Sequence, residues 1–254
     1  MTLEVDKLNV SIDNKKIIKN ISFSLKNGDV LAISGMNGEG KTTILKAIMN
    51  HFALKTTGSI KLNNKELTKI ETYEISKLGI FYIPQNSVEL EGIQTLSFLR
   101  NINKNRSNSD FTSLYKEIES SLSKFNLPQD ILSRNLNVGF SGGQKKKVEL
   151  LQAQVFKPSI LLIDEIDSGV DVDSIKTIAD FINKEKKNVI TIVISHNNTF
   201  LNMIKPNKVI VINKGTIVKS GDNKLLNIIE KKGFNQFITN NKKVIQSACL
   251  FPKK

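Results

Sequence analysis

Short apolar segments with the period of β-strands dominate the first 85 residues. Two of them, Leu3–Ile12 and Ile17–Leu25, predict a strand pair joined by a polar turn. The apolar run Val30–Ile33 predicts a fully buried strand of a parallel sheet, and a helix should follow it from Lys41 to about Met49. Further strands are expected at Gly58–Leu62 and Ile80–Ile83.

The middle of the chain, from about Asn86 to Asn137, has a helical period instead. Six apolar residues from Phe111 to Phe125 recur on one helical face, and Ser109 or Asp110 would cap this helix. After Gly142 the alternation of strands and helices resumes, with a helix from about Asp171. Strands are expected there at Ile160–Ile163, Val189–Ile194, Lys208–Ile212 and Thr216–Lys219. The pattern predicts an α/β chain with a helical insert, followed by a weakly amphipathic helix or tail over Asn235–Lys254.

Composition excludes several classes of protein. The 254 residues can bury a large core, and the single Cys249 excludes a disulfide framework or a multi-cysteine metal site. No apolar run is long enough to span a membrane. With no targeting segment expected near Met1, we expect a cytoplasmic protein without direct membrane insertion, or one of the plastid stroma if plastid-encoded.

The net charge of +13 suggests an anionic partner, but only three of the basic residues are arginines. Arginine is the residue favoured for bidentate phosphate and base contacts. Because no nucleic-acid-binding motif accompanies the charge, we interpret it as a lysine-biased surface and expect no nucleic-acid partner.

A glycine-rich loop lies between the third predicted strand and the helix from Lys41. Its spacing matches the P-loop, in which backbone N–H groups surround phosphate oxygens and the lysine adds a cation. Thr42 is placed to bind Mg²⁺. The predicted nucleotide-binding residues of this loop are Gly35, Asn37, Gly38, Gly40, Lys41, Thr42 and Thr43. Glu39 is unusual beside a triphosphate and should point away from it or weaken its binding.

A second apolar strand, Ile160–Asp164, ends in two acids. At that end of an α/β sheet, Asp164 could hold Mg²⁺ and Glu165 could act as the general base for water. Alone the pattern is weak, since many strands end in acids.

Three more features fit phosphate chemistry. Ser141, Gly142 and Gly143 open a helix and could form another anion cradle. Gln85 follows a strand and could reach the metal and the γ-phosphate, and His196 follows another strand and could orient the attacking water. Taken singly, Gln85 and His196 fit ordinary structural roles better.

Together and in this order, these motifs resemble those of the ATP-binding cassette (ABC) ATPases over about residues 1–232. The resemblance implies a P-loop core with an antiparallel β subdomain and a helical subdomain between Gln85 and the signature motif at Ser141. It implies one domain over 1–254: a catalytic lobe at 1–85 and 139–232, a helical subdomain at 86–138 and a tail at 233–254. It also implies a head-to-tail, ATP-dependent homodimer, in which Ser141 and the glycines of one subunit face the P-loop of the other, with Asp171 in the adjacent D-loop.

The segments between the motifs resemble those of the ATPases of the SUF iron–sulfur assembly system. These include Asn137–Lys147, Asp164–Asp173 and Ser87–Ile93. That resemblance implies SufB/SufD-type scaffold proteins as partners, bound near the insert at about Asn86–Asn105. It also implies that Lys146 pairs with Glu165 in the nucleotide-free state and holds the base away from its water, with a solvated lysine on the signature helix as the equal alternative. The ABC resemblance places Ile12 where these ATPases usually stack adenine on an aromatic ring, so adenine would rest on an aliphatic side chain. The alternatives are the ATP-binding subunit of a membrane transporter and a nucleic-acid-associated ABC ATPase.

Overall fold

Three β-sheets form the framework of the chain in a computed structural model that describes residues 1–106, 110–234 and 236–237. The strands within these residues are β1 (Thr2–Ile12), β2 (Lys15–Lys26), β3 (Val30–Ser34), β4 (Lys55–Leu62), β5 (Lys65–Glu66), β6 (Ile80–Ile83), β7 (Leu90–Gln94), β8 (Asn135–Leu136), β9 (Ile160–Asp164), β10 (Ile190–Ile194), β11 (Lys208–Asn213) and β12 (Thr216–Gly221).

Helices connect or cover these strands. They are α1 (Lys41–Ile48), α2 (Thr72–Lys77), α3 (Thr95–Arg106), α4 (Phe111–Lys124), α5 (Gly142–Phe156), α6 (Val172–Glu185), α7 (Asn198–Ile204) and α8 (Lys224–Lys232), with a 3₁₀ turn at Gln129–Leu132. The predicted strands are all found, and so are the helices predicted over Lys41–Met49, Phe111–Phe125 and from about Asp171, with ends shifted by a few residues. Asp110 caps α4, since its carboxylate accepts from the Ser113 N–H. The predicted tail lies outside the described residues apart from positions 236 and 237.

The central sheet has six strands in the order β12-β11-β3-β10-β9-β6. All neighbours except β12 and β11 are parallel. The carboxyl ends of β3, β10 and β9 therefore meet at one edge, with Ile33 beside Ile194 and Ile194 beside Asp164. This register brings together the loops that carry the predicted site residues.

Two hydrophobic cores lie on opposite faces of the central sheet. Leu31 and Ile33 of β3 belong to the core shared with α1 and the antiparallel sheet β2-β1-β4-β5. Val30 and Ala32 belong to the other core, which contains residues of α4, α5 and α6. Because successive side chains of a strand point to opposite faces, a strand covered on both sides is apolar throughout. That is why β3, β9 and β10 have no polar alternation.

The insert between β6 and α5 is only partly helical. β7 pairs antiparallel with β8, so a small ribbon closes the two ends of the segment predicted to be helical throughout. The side chains of β7 are mostly exposed, and an exposed strand lacks the apolar alternation that would identify it in the sequence. Helices α3 and α4 share the core of α5, which joins the insert to the central sheet.

Among the described residues, no helix has both the length and the apolar composition required to cross a membrane.

Candidate active site

The loop from Gly35 to Thr42 connects β3 to α1. Gly35, Gly38 and Gly40 have positive φ angles of 148°, 81° and 92°. At Gly35 the space is also closed, because a Cβ atom would lie 2.4 Å from the backbone carbonyl oxygen of Ile212. Helix α1 begins without a side-chain cap, which leaves its first N–H groups for an anion. The loop therefore provides a backbone cradle suited to phosphate.

The Lys41 ammonium group lies within this loop. Its Nζ donates to the carbonyl oxygens of Gly35 at 2.9 Å and Met36 at 2.8 Å. Burial lowers the pKa of Lys41, and the acids Glu165, Asp164 and Glu39 oppose that shift. The sequence-predicted cation is therefore held where a phosphate in the cradle would be within its reach.

Thr42 and Asp164 form the candidate metal site. The Thr42 hydroxyl donates to Asp164 Oδ1 at 3.0 Å, at the end of β9. Asp164 is fully buried, and burial raises its pKa while the hydrogen bonds from Thr42 and Tyr82 oppose the rise. Mg²⁺ in nucleotide sites is typically bound by one or two carboxylates together with phosphates and water. One hydroxyl beside one buried carboxylate fits a magnesium ion that arrives with a nucleotide.

Glu165 is held between Gln85 and His196. Gln85 Nε2 donates to Glu165 Oε2 at 2.7 Å, and His196 Nε2 lies 3.4 Å from Glu165 Oε1. Burial lowers the pKa of His196, the Lys41 cation lowers it further, and Glu165 opposes both effects. The imidazole is therefore mainly neutral at pH 7. The three side chains predicted to be catalytic, from three separate loops, form one cluster.

A cavity of about 410 Å³ connects these groups. Its walls combine the phosphate-binding loop with the candidate base and with two aliphatic side chains. The lining residues are Ile12, Ile17, Asn37, Gly38, Gly40, Lys41, Thr42, Thr43, Gln85 and Glu165. Ile12, at the position where the resemblance implies contact with adenine, lines this cavity, and no aromatic ring is among its lining residues.

Sequence reasoning missed Ile17 and Tyr82. Ile17 lines the same cavity as Ile12. The sequence could have indicated this, because Ile12 and Ile17 are the apolar residues on either side of the polar turn between β1 and β2. Tyr82 donates its hydroxyl to Asp164 Oδ2 at 3.0 Å. Only the parallel pairing of β6 with β9 reveals that contact, because 82 positions separate the two residues.

The signature residues Ser141, Gly142 and Gly143 lie away from this cavity. Ser141 caps α5 in a capping box with Gln144. A Cβ atom on Gly142 would lie 3.6 Å from the Gly169 carbonyl oxygen, which places the signature beside the D-loop of its own chain. These residues are not among the cavity's lining residues.

Asp171 serves as the N-cap of α6 in this structure. Its Oδ1 accepts from the Ser174 N–H at 2.8 Å and its Oδ2 from the Ser174 hydroxyl at 2.7 Å. These bonds lower the pKa of Asp171. Asp171 adjoins Gly143 rather than the P-loop cavity, since a Cβ atom on Gly143 would lie 3.4 Å from its Oδ2.

The expected pairing of Lys146 with Glu165 is wrong for this structure. Lys146 Nζ instead donates to the backbone carbonyl oxygens of Pro84, at 3.3 Å, and Gln85. Glu165 is paired with Gln85 and His196. The lysine on α5 and the carbonyl groups beside Gln85 meet because α5 packs under the segment after β6.

Glu39 turns away from the cradle, one of the two outcomes expected from its position. Its Oε2 accepts from the backbone N–H of Lys214, in the turn between β11 and β12. It is absent from the cavity's lining residues.

A phosphate cradle, a hydroxyl–carboxylate pair suited to a metal ion and a candidate carboxylate base lie at the carboxyl edge of a parallel sheet. This arrangement is that of a P-loop nucleotide-binding protein of the α/β class. Residues 18–168 match the family model described as ABC transporter. The chain belongs to this family and has the nucleotide-binding fold of its ATPase domains. ABC ATPase domains bind ATP with Mg²⁺ and hydrolyse it, and they typically dimerise and associate with further components.

Curated relatives match nearly the whole chain. The "Probable ATP-dependent transporter ycf16" of Antithamnion sp. is 39% identical over 242 residues, which cover 92% of this chain and 96% of the relative. "Vegetative protein 296" of Bacillus subtilis (strain 168) is 37% identical and covers 92% of both chains. A "Probable ABC transporter ATP-binding protein" of Streptococcus pyogenes serotype M18 is 36% identical, with 91% of this chain and 93% of the relative covered.

Solved structures share the fold at lower identity. A structure described as the ATP-binding subunit of an ABC transporter superposes with a TM-score of 0.79 at 22% identity, covering 96% of this chain and 100% of the other. A bacterial Atm1-family ABC exporter with ATP bound gives a TM-score of 0.74 at 20% identity, covering 96% of this chain and 42% of the exporter chain. These similarities confirm the predicted fold class.

Proposed function

We propose that this chain hydrolyses ATP with Glu165 as the general base and uses the reaction to change the conformation of a scaffold in iron–sulfur cluster assembly. The observation that carries the catalytic part is the position of Glu165. Its carboxylate lines the P-loop cavity and touches Gln85 and His196, while Asp164, the preceding residue, touches Thr42.

Separate groups of residues bind the phosphates, hold the metal ion and activate the water. The amides of the Gly35–Thr42 loop and the Lys41 ammonium bind the phosphates. Thr42 and Asp164, with Gln85 nearby, would hold the Mg²⁺, whose charge offsets that of the phosphates. Glu165 accepts the proton of the attacking water, the new bond forms at the γ-phosphorus, and the bond to the bridging oxygen breaks to leave ADP and phosphate. The neutral His196 orients the water or contacts the γ-phosphate.

The positions of Ser141, Gly142 and Gly143 support an ATP-dependent homodimer. They lie beside Gly169 and Asp171 rather than at their own chain's P-loop. A helix start with two glycines and no acidic residue in its first turn suits a phosphate. In the proposed dimer, that phosphate is the ATP held by the P-loop of the partner subunit.

A groove between the catalytic lobe and the insert supports the docking of SufB/SufD-type scaffold proteins. Phe81 on β6, Phe98 and Ile102 on α3 and Phe156 on α5 line it. Its position after β6 agrees with the docking region expected from the SUF resemblance, about Asn86–Asn105. Dimerisation on ATP would bring two attached scaffolds together. The proposed location is the cytoplasm, or the plastid stroma for a plastid-encoded chain.

A second candidate is the ATP-binding subunit of an ABC membrane transporter. The names of the relatives from Antithamnion sp. and Streptococcus pyogenes favour it. The same groove would then receive a membrane component, so the two candidates differ in the partner and share the chemistry.

Glu165→Gln tests the catalytic part. Loss of the general base should slow ATP turnover by about 10²–10⁴-fold, and the variant should run as a dimer in gel filtration with ATP. Glu119→Gln, a change at an exposed acid on α4, should leave turnover and the monomer–dimer equilibrium as in the parent chain. Undiminished turnover in Glu165→Gln would show that Glu165 is not the base.

Co-purification separates the two partners. A SufB/SufD-type complex co-expressed with the chain should bind it, and Phe98→Asp in the groove should abolish that binding. Ile228→Asp, at a 42% exposed position on α8, is the matched control and should bind normally. Retention by a membrane component, with no binding to the scaffold complex, would establish the transporter candidate instead.

A further inference from the structure

A tyrosine outside the nucleotide cavity holds the candidate metal ligand. Tyr82 is on β6, beside Leu162 of β9 in the parallel register. Its hydroxyl donates to Asp164 Oδ2 at 3.0 Å. Tyr82 is not among the cavity's lining residues, so it acts on the site through Asp164.

Each oxygen of Asp164 is engaged by one hydroxyl. Thr42 donates to Oδ1 at 3.0 Å, and Tyr82 donates to Oδ2 at the same distance. Asp164 is fully buried, so loss of either donor would leave a buried carboxylate oxygen short of a hydrogen bond. A carboxylate with two donors at fixed positions has one orientation, and its two remaining lone-pair directions are fixed with it.

The two donors have different origins. Thr42 belongs to the P-loop and would itself contact the metal ion, so its position depends on the nucleotide. Tyr82 belongs to strand β6, and its ring packs against the core that lies under the antiparallel sheet. The tyrosine is therefore the donor whose position the fold sets independently of the nucleotide.

We propose that Tyr82 is a positioning residue for the magnesium site: its hydroxyl fixes the carboxylate of Asp164 in the orientation that binds Mg²⁺–ATP. The inference rests on the proposed role of Asp164. It also links the metal site to the segment after β6, since Gln85 lies three residues beyond Tyr82 and contacts Glu165. Two hydrogen bonds thus join one strand and the loop after it to the consecutive acids at the end of β9, Asp164 in the strand and Glu165 just beyond it.

Tyr82→Phe removes the hydroxyl and keeps the ring. Because outer-shell partners of metal ligands contribute about 10–100-fold to metal affinity, we expect the Mg²⁺ concentration for half-maximal ATPase activity to rise about tenfold. Binding of Mn²⁺ in the presence of a non-hydrolysable ATP analogue, followed by electron paramagnetic resonance, should weaken by a similar factor. ATP binding in EDTA should stay unchanged. Tyr73→Phe, at a 61% exposed tyrosine, is the matched control and should leave all three measurements unchanged.

A double-mutant cycle with Asp164→Asn tests whether Tyr82 acts through Asp164. In the Asp164→Asn background, Tyr82→Phe should produce no further loss of Mn²⁺ binding. Three results would overturn the proposal: parent-like Mg²⁺ dependence in Tyr82→Phe, an undiminished effect in the Asp164→Asn background, or weakened ATP binding in EDTA together with a lower Tm. Failure of the proposed function is distinguished by Glu165→Gln, because turnover there reports on the base and not on the metal.

Discussion

Replacing Glu149 with glutamine should change how stability depends on pH. Glu149 is on α5, and its side chain is buried beneath the segment that follows Gln85, with 5% of its surface exposed. Burial raises its pKa to about 7, against the opposing effects of Ser87, Lys146 and Asn137. The folded chain therefore keeps a proton on this carboxyl under conditions in which the unfolded chain releases it.

The sign and size follow from proton linkage. Between the unfolded pKa of 4.5 and the folded value of about 7, the folded state binds more protons than the unfolded state, so stability falls as the pH rises through this window. Above about pH 7 the stability does not fall further from this cause, because the carboxyl is ionised in both states. A shift of this size corresponds to about 3 kcal/mol. Glutamine is neutral at every pH, so the Glu149→Gln variant does not lose this part of the free energy of unfolding as the pH rises.

Equilibrium unfolding in urea from pH 5 to 8.5 measures this effect. The free energy of unfolding of Glu149→Gln, relative to the parent, should increase by about 2–3 kcal/mol across that range. The buried acids Asp164 and Asp167, whose pKa values burial also raises, contribute equally to both chains and cancel in the difference. Glu119→Gln, at an exposed position, should show a flat difference. A flat difference for Glu149→Gln would refute the reasoning.

Two further predictions concern the P-loop. Gly35→Ala should destabilise the chain by about 1–3 kcal/mol from steric overlap with Ile212, with an added cost for its positive φ. At Gly92, φ is also positive, at 78°, but a Cβ atom would meet nothing within 4 Å, so Gly92→Ala should lose only the stability that the backbone conformation costs. Equal losses in urea unfolding would contradict the steric argument. Glu39→Gln keeps an acceptor for the Lys214 N–H and removes a negative charge that acts on Lys41, so ATP should bind about two- to fivefold more tightly at low salt. Isothermal titration in low and high salt checks this, and an unchanged affinity would show that Glu39 does not influence the cradle.

The motifs predicted most of the local structure of the site, because glycine and short-range hydrogen bonding determine it. The P-loop needs positive φ at Gly35, Gly38 and Gly40, and the spacing of these glycines in the chain is visible without any fold. Asp110 and Ser141 likewise cap helices through contacts three residues away. The β7–β8 ribbon was not predicted, because exposed strands that pair across 40 residues or more have no local signature.

Contacts between distant segments depended on the tertiary structure. Tyr82 reaches Asp164 only because β6 lies beside β9, and Lys146 bonds the carbonyl group of Gln85 rather than Glu165 because α5 packs under that loop. The sequence by itself determined which chemical groups are present and the family to which the chain belongs, since these depend on residue type and spacing. Which donor meets which acceptor was decided by the packing of the parallel sheet and its helices, because hydrogen bonds require atoms within about 3 Å whatever their separation along the chain.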